Sequence, residues 1–418
     1  MGIKTKYAPF PIAETVEIAC EKFSTAALPD GFRVMEDVGL VCPETITGKV
    51  VYRAVKEMYE VRAAITPGGD YLTMFPAGSH YGASETKRNT MTAARSSDKG
   101  KTWSDPYIAF NIDYNQHGFI PLVPKGSKRI YSFGTQPVWG LYTRDWGLAE
   151  NAPIGYLYSD DDGYTWTGPI LIDPVNDPGY TGMSVMRMCE TDKGTWLLGT
   201  HEGYHWEKPS VHTNLYILRS ENRGETWELL PGKRKNGWHI MPYHRMDEGR
   251  PIQAGGKILF ICRTPEGHLW ARWSEDDGRT WTDARPTSLV HPDAPPMITH
   301  LSDGKTLVCF HHNRFHDFEY NGLSAEKHAV MGDRSEIWAA FSGDCGETWS
   351  EPVFVYCNAV KHDETLAPFY NYACSYNDLF MDGDVLNIFL SHLWRQAVHL
   401  QIKEADLFKL PTKSEILK

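Results

Sequence analysis

Apolar positions in this chain come in short runs broken by polar, glycine-containing segments, and no run reaches the 18 residues of a membrane-spanning helix. The clearest runs read TMTAARS, GYLYS, LYILRS, LWARWS and IWAAFS, and each is strand-like in length and content. Each leads directly into a recurring octapeptide: SSDKGKTW (Ser96 to Trp103), SDDDGYTW (Ser159 to Trp166), SENRGETW (Ser220 to Trp227), SEDDGRTW (Ser274 to Trp281) and SGDCGETW (Ser342 to Trp349). The shared pattern is S-x-D-x-G-x-T-W, with Asn222 replacing Asp once. It predicts a tight hairpin turn. The Asx side chain accepts backbone N–H groups, the glycine permits a positive φ, and the Trp packs back over the hairpin with a partner for its N–H.

The Trp-to-Trp intervals are 63, 61, 54 and 68 residues, and each holds about four strand signals. That is one propeller blade per interval. Residues 59–410 hold about 5.7 such intervals, so the chain is expected to be all-β, a six-bladed β-propeller, with seven blades as the alternative. The final blade lacks the octapeptide but keeps strand runs at DVLNIFLSHL and AVHLQI. Residues 1–58 are expected to supply a closing strand and cap, and 411–418 a tail; no Pro- or Gly-rich linker divides the 59–410 unit.

Composition agrees: of 418 residues, 41% are hydrophobic and 23% charged, with 14 Trp, 21 Tyr, 36 Gly and 26 Pro. This suits a packed protein of short strands and turns. The net charge of −11 argues against nucleic acid or an anionic membrane as partner. The eight Cys are scattered without metal-ligand spacing and read as buried thiols. The N-terminus carries no apolar leader, so the chain as written reads as cytoplasmic, or as secreted or periplasmic if a leader has been removed.

The octapeptides are similar to the Asp-boxes of the sialidase (neuraminidase) superfamily, and the resemblance is nearest to bacterial exo-α-sialidases. Segments between the boxes carry more specific likenesses. YEVRAAITPGGDYLTMFPAG resembles the segment bearing the first arginine of that family, here Arg62. EGRPIQAGGKILFICRTPEGHLWARWSEDDGRTW resembles the segment in which a catalytic glutamate precedes the second arginine, giving Glu248 and Arg263. DRSEIWAAFSGDCGETW gives Arg334, and ACSYNDLFMDGDVLNIFL gives a nucleophilic Tyr376. The family's acid/base aspartate precedes the first box, but the loop SHYGASETKRNTM has none; Glu85 stands at that distance, and His80 is a second candidate.

The resemblance implies a retaining, exo-acting hydrolase releasing a terminal sialic acid or related acidic sugar, without a cofactor. Three guanidiniums at one point would clamp a carboxylate. A neutral phenol is a reasonable attacker where a carboxylate adjoins the reacting carbon, and sialidases are known exceptions to the two-carboxylate pattern. A glutamate beside it would take its proton.

Two other readings stay open: a lyase or hydrolase for uronic-acid glycans, with His80, His117 or His201 as base, and a non-catalytic glycan-binding propeller. Among the 17 His, THEGYH has the spacing of a zinc motif but lies between strand runs, where one helical turn would be needed, so no metal is expected. Trp139, Trp146, Tyr204, Trp206 and Trp238 are candidate walls of a sugar cleft.

Overall fold

The computed structural model describes residues 8–53, 58, 60–77, 89–112, 118–135, 151–205, 211–241, 244–314, 334–362 and 374–418. Its strands form seven antiparallel sheets among the described residues: a two-stranded hairpin, Thr15–Ile18 with Glu21–Ser24, and six sheets set as blades around one axis. Blade one runs outward through Arg62–Ile65, Tyr71–Ala77, Asn89–Ser96 and Tyr107–Ile112. Blade two is Ile120–Leu122, Ile130–Thr135, Ile154–Ser159 and Thr167–Ile172. In blade three the innermost strand is split into Ser184–Val185 and Cys189–Glu190, followed by Trp196–His205, Val211–Ser220 and Glu228–Leu230. Blade four is Asp247–Ala254, Lys257–Arg263, His268–Ser274 and Arg285–Val290.

The N-terminal segment completes the last two blades. Blade five is Met297–His300, Leu307–His311, Glu336–Ser342 and Val353–Asn358, extended at its outer edge by Leu40–Pro43 and Phe32–Met35. Blade six is Asp378–Asp382, Val385–His392 and Gln396–Lys403, and its outermost strand is Thr47–Arg53 from the other end of the chain. The fold is therefore six-bladed, and among the described residues the N-terminal segment joins blades five and six instead of forming a seventh. Pairing the two ends of the chain in one sheet closes the ring.

Apolar side chains from facing sheets fill the gaps between blades. Phe133, Trp196, Leu198, Tyr216 and Leu218 lie in one such layer, and Leu259, Ile261, Leu307 and Cys309 in another. Burial on both faces explains why the strands read as nearly continuous apolar runs. Burying each large aliphatic side chain contributes about 1.5–3 kcal/mol.

The octapeptides turn between third and fourth strands as their chemistry predicts. In the first, Asp98 Oδ1 accepts from Thr102 N at 2.8 Å, Oδ2 accepts from Thr102 Oγ1 at 2.6 Å, and Ser96 Oγ accepts from Gly100 N at 2.7 Å. Gly100 has φ +83, a conformation L-residues seldom adopt. Trp166, Trp227 and Trp281 each donate Nε1–H to the carbonyl of their box glycine. The boxes also link neighbours: Asp162 of blade two accepts from Thr66 Oγ1 and Gly68 N of blade one at 3.1 and 2.9 Å. All eight cysteines are free thiols, seven buried or half-buried and Cys20 exposed.

Strand direction separates this scaffold from the chemistry. The box serines are the last residues of the third strands. First strands start, second strands end and third strands start on the opposite rim. Arg62 and Glu248 lie at the start of first strands, Arg263 ends a second strand, Arg334 comes two residues before a third strand, and Tyr376 two residues before a first.

Candidate active site

The structure brings Arg62, Glu248, Arg263, Arg334 and Tyr376 together from blades one, four, five and six. All are at least 95% buried. Tyr376 is at the centre. Its hydroxyl donates to Glu248 Oε1 at 2.9 Å, and Arg263 Nη1 lies 3.4 Å from the hydroxyl oxygen. Arg62 and Arg334 flank the ring, with their guanidinium carbons 5.8 and 5.7 Å from its centroid.

The local backbone shows why these segments aim side chains inward. Glu248 and Tyr376 both have positive φ, +44 and +60. This is costly for residues with a β-carbon and is found where surrounding structure over-determines the conformation. At Glu248 the strand pairing slips between Asp247 and Arg250, a bulge that re-aims side chains. Gly249 makes this fit possible, because a β-carbon there would stand 2.5 Å from the Phe260 ring. At Tyr376, Arg62 Nη1 donates to its carbonyl at 3.1 Å. Two residues on, buried Asp378 accepts from Ala63 N at 2.8 Å and Arg187 Nε at 3.1 Å. Burial works against the Asp378 charge, but Arg187, Arg62 and Arg250 outweigh it and hold its pKa below the ordinary carboxylate value.

Each arginine is held from behind. Arg62 Nη2 pairs with Glu60 at 3.2 Å. Arg263 Nη1 donates to Glu248 Oε2 at 2.5 Å and its Nε to Asp293 Oδ1 at 2.6 Å. Burial opposes the Arg263 charge, but Asp293, Glu248 and Asp247 overcome that and raise its pKa well above the usual value. Arg334 donates to Ser375 Oγ at 3.2 Å and to the Asp293 carbonyl at 2.6 Å. Burial lowers the pKa of Arg62 and of Arg334, and guanidinium stays charged through any ordinary range.

Sequence reasoning missed the supporting acids. Asp293, in the turn HPDAPP, binds Arg263 with one carboxylate oxygen, lies 3.3 Å from Arg245 Nη1 with the other, and holds Arg334 through its carbonyl. Nothing in the local pattern marks it out. Asp378, two residues after Tyr376, sat inside a motif already singled out, and Asp247 immediately precedes another.

Other candidates have different outcomes. Glu85 and His80 lie outside the described residues, as do His117, Trp139, Trp146, Trp206 and the side chain of Tyr204. His201 is 2% exposed and lies behind Glu248, whose N–H donates to His201 Nδ1 at 3.4 Å. Burial lowers its pKa. Trp238 is half-buried and packs against the core: it meets Phe260 and Trp281 edge-on under the Arg272 guanidinium. No group of three or more His, Cys, Asp or Glu suited to a metal occurs among the described residues. A cavity of about 780 Å³ lies between residues 23–45 and 406–418, and none of the clustered residues lines it.

Comparison with known proteins agrees with this architecture. The BNR repeat-like domain family matches residues 130–388, more than half of the chain. A sialidase of Clostridium perfringens is 27% identical over 213 residues, covering 46% of this chain and 52% of that protein. A xyloglucanase of Hypocrea jecorina (strain QM6a) is 27% identical over 208 residues, covering 46% of this chain and 23% of that protein. The matches thus span about half and about a quarter of these curated relatives. Among solved structures, a Hadza microbial sialidase superposes with a TM-score of 0.60 at 18% identity, covering 86% of this chain and 69% of that one. With its five Asp-boxes on six blades, the chain belongs to the BNR repeat-like domain family, within the sialidase superfamily.

Proposed function

We propose that this protein is a retaining, exo-acting glycoside hydrolase of sialidase type that releases a terminal sialic acid or a related acidic sugar. The observation that carries this reading is the Tyr376–Glu248 hydrogen bond of 2.9 Å, with three guanidiniums around the same phenol. In the first step the Tyr376 oxygen bonds to the anomeric carbon and its proton passes to Glu248. The glycosidic C–O bond breaks, and Glu85 gives a proton to the departing oxygen. In the second step Glu85 takes a proton from water, the water oxygen bonds to the anomeric carbon, and Tyr376 leaves and regains its proton from Glu248. Two displacements retain configuration. Arg263 favours the first step because its Nη1 is placed to stabilise negative charge on the phenol oxygen. Arg62, Arg263 and Arg334 grip the sugar carboxylate.

The test is release of 4-methylumbelliferone from its α-sialoside by wild type, Tyr376→Phe and Arg263→Ala. Turnover by wild type alone supports the proposal; a folded wild type without turnover counts against it. The same three guanidiniums would also receive a uronate carboxylate, which favours one second reading, action on a uronic-acid glycan. Elimination on that substrate would produce unsaturated uronates, read by ultraviolet absorbance.

A further inference from the structure

Arg250 is the third residue after Asp247 on the innermost strand of blade four, and it is 2% exposed. The charges acting on it come from Arg62 of blade one, Arg187 of blade three, Asp378 of blade six and its neighbour Glu248. The innermost strand of each blade faces the axis of the ring, so this buried side chain lies toward the hub. The cations near it each have a carboxylate. Arg62 pairs with Glu60 at 3.2 Å, Arg187 Nε with Asp378 at 3.1 Å, and Arg263 with Glu248 at 2.5 Å. Arg250 pairs with none of the described carboxylates, and its Nε and Nη2 are buried without an acceptor among the described residues. A buried guanidinium keeps its proton and needs compensation of both its charge and its N–H donors.

We propose that Arg250 anchors a small monovalent anion of the halide class on the inner face of blade four. A halide accepts several N–H donors with no directional demand, which suits the two unmatched donors of one buried guanidinium. Arg250 is separate from the Tyr376–Glu248–Arg263 contacts, so this site is distinct from the proposed carboxylate clamp and does not depend on the enzymatic reading.

The experiment is thermal unfolding in sodium chloride or bromide against sodium gluconate at constant ionic strength, for wild type and Arg250→Met. The expected result is a saturable, halide-specific rise in wild-type Tm of about 3 °C at a hundredfold excess over Kd, absent from the variant. No halide-specific rise in wild type, or the same rise in Arg250→Met, would overturn the proposal. Wild-type crystals soaked in bromide decide the matter even if the variant fails to fold. An anomalous peak within hydrogen-bonding reach of Arg250 supports the site. Water at that position, or a peak only among Arg62, Arg263 and Arg334, overturns it.

Discussion

Tyr376 and Glu248 are 128 residues apart in sequence, yet the phenol donates to the carboxylate at 2.9 Å and both residues carry a positive φ. Two strained positions on different blades therefore converge on one hydrogen bond. Strain retained at both ends of a single contact fits the preorganised reacting pair proposed above. Tyr376→Phe keeps the ring between Arg62 and Arg334 and removes only the hydroxyl. It should lower kcat at least about 10³-fold with little change in Tm. Glu248→Gln should lower kcat about 10²–10⁴-fold, the usual worth of a general base. Steady-state kinetics on the fluorogenic sialoside with parallel melting curves measures both, and near-wild-type turnover in the phenylalanine variant would remove Tyr376 from the chemistry.

Asp293 has the widest reach of the residues behind the cluster. Asp293→Asn removes the negative charge beside Arg263 and Arg245 but leaves the carbonyl that holds Arg334. Breaking a buried pair from one side typically costs about 3–5 kcal/mol. The variant should unfold at lower denaturant concentration and show a raised KM for an acidic substrate. Unchanged stability would mean that Arg263 finds another anion.

Buried histidines set the pH dependence of folding. Burial pushes His311 down to about 4, and His312, His392 and His399 down to about 3, and it holds His201 and His291 below their ordinary value. In the unfolded chain each takes up a proton below about 6.5, while the folded protein keeps them neutral. The unfolded state then binds more protons, so stability is full above about pH 6.5 and falls as pH drops below it. Urea titrations at pH 8, 7, 6 and 5 should show a steady decline; a flat profile over that range would contradict the burial argument.

The Asp-box carboxylates act at lower pH. Partial burial pushes Asp276 upward, but hydrogen bonds from Thr280 and Ser274 prevail and bring it to about 2; the bonds from Thr102 and Thr165 bring Asp98 and Asp161 to about 2 as well. Folded values below the unfolded value of about 3.9 give stability that is present above pH 4 and lost as pH falls toward 2. Asn222 shows that an amide fits the same turn, since its Oδ1 accepts from Thr226 N at 2.9 Å and its Nδ2 donates to Thr226 Oγ1 at 2.9 Å. Asp276→Asn should fold normally and unfold less steeply between pH 4 and 2. An acid limb as steep as that of wild type would show that the turn carboxylate contributes nothing to it.

The chain alone determined what local chemistry controls. An Asx, a glycine and a threonine at fixed spacing can close a turn without outside help, so five boxes and their preceding strands were legible, and their interval set the blade count. Arg62, Glu248, Arg263, Arg334 and Tyr376 were legible because each lies in a segment with a recognisable pattern. Only the tertiary structure decided that residues 47–53 close blade six, since a strand's partner across 350 residues leaves no local mark. The same holds for Asp293, which matters because the packing of blades four and five sets Arg263, Arg245 and Arg334 around it. It holds for Trp238 too, whose indole could equally have faced a sugar or a neighbouring sheet until the Arg272 guanidinium and the Phe260 ring were placed against it. Local sequence controls turn closure and strand alternation, whereas charge pairing at the hub depends on distances that exist only once six sheets share an axis.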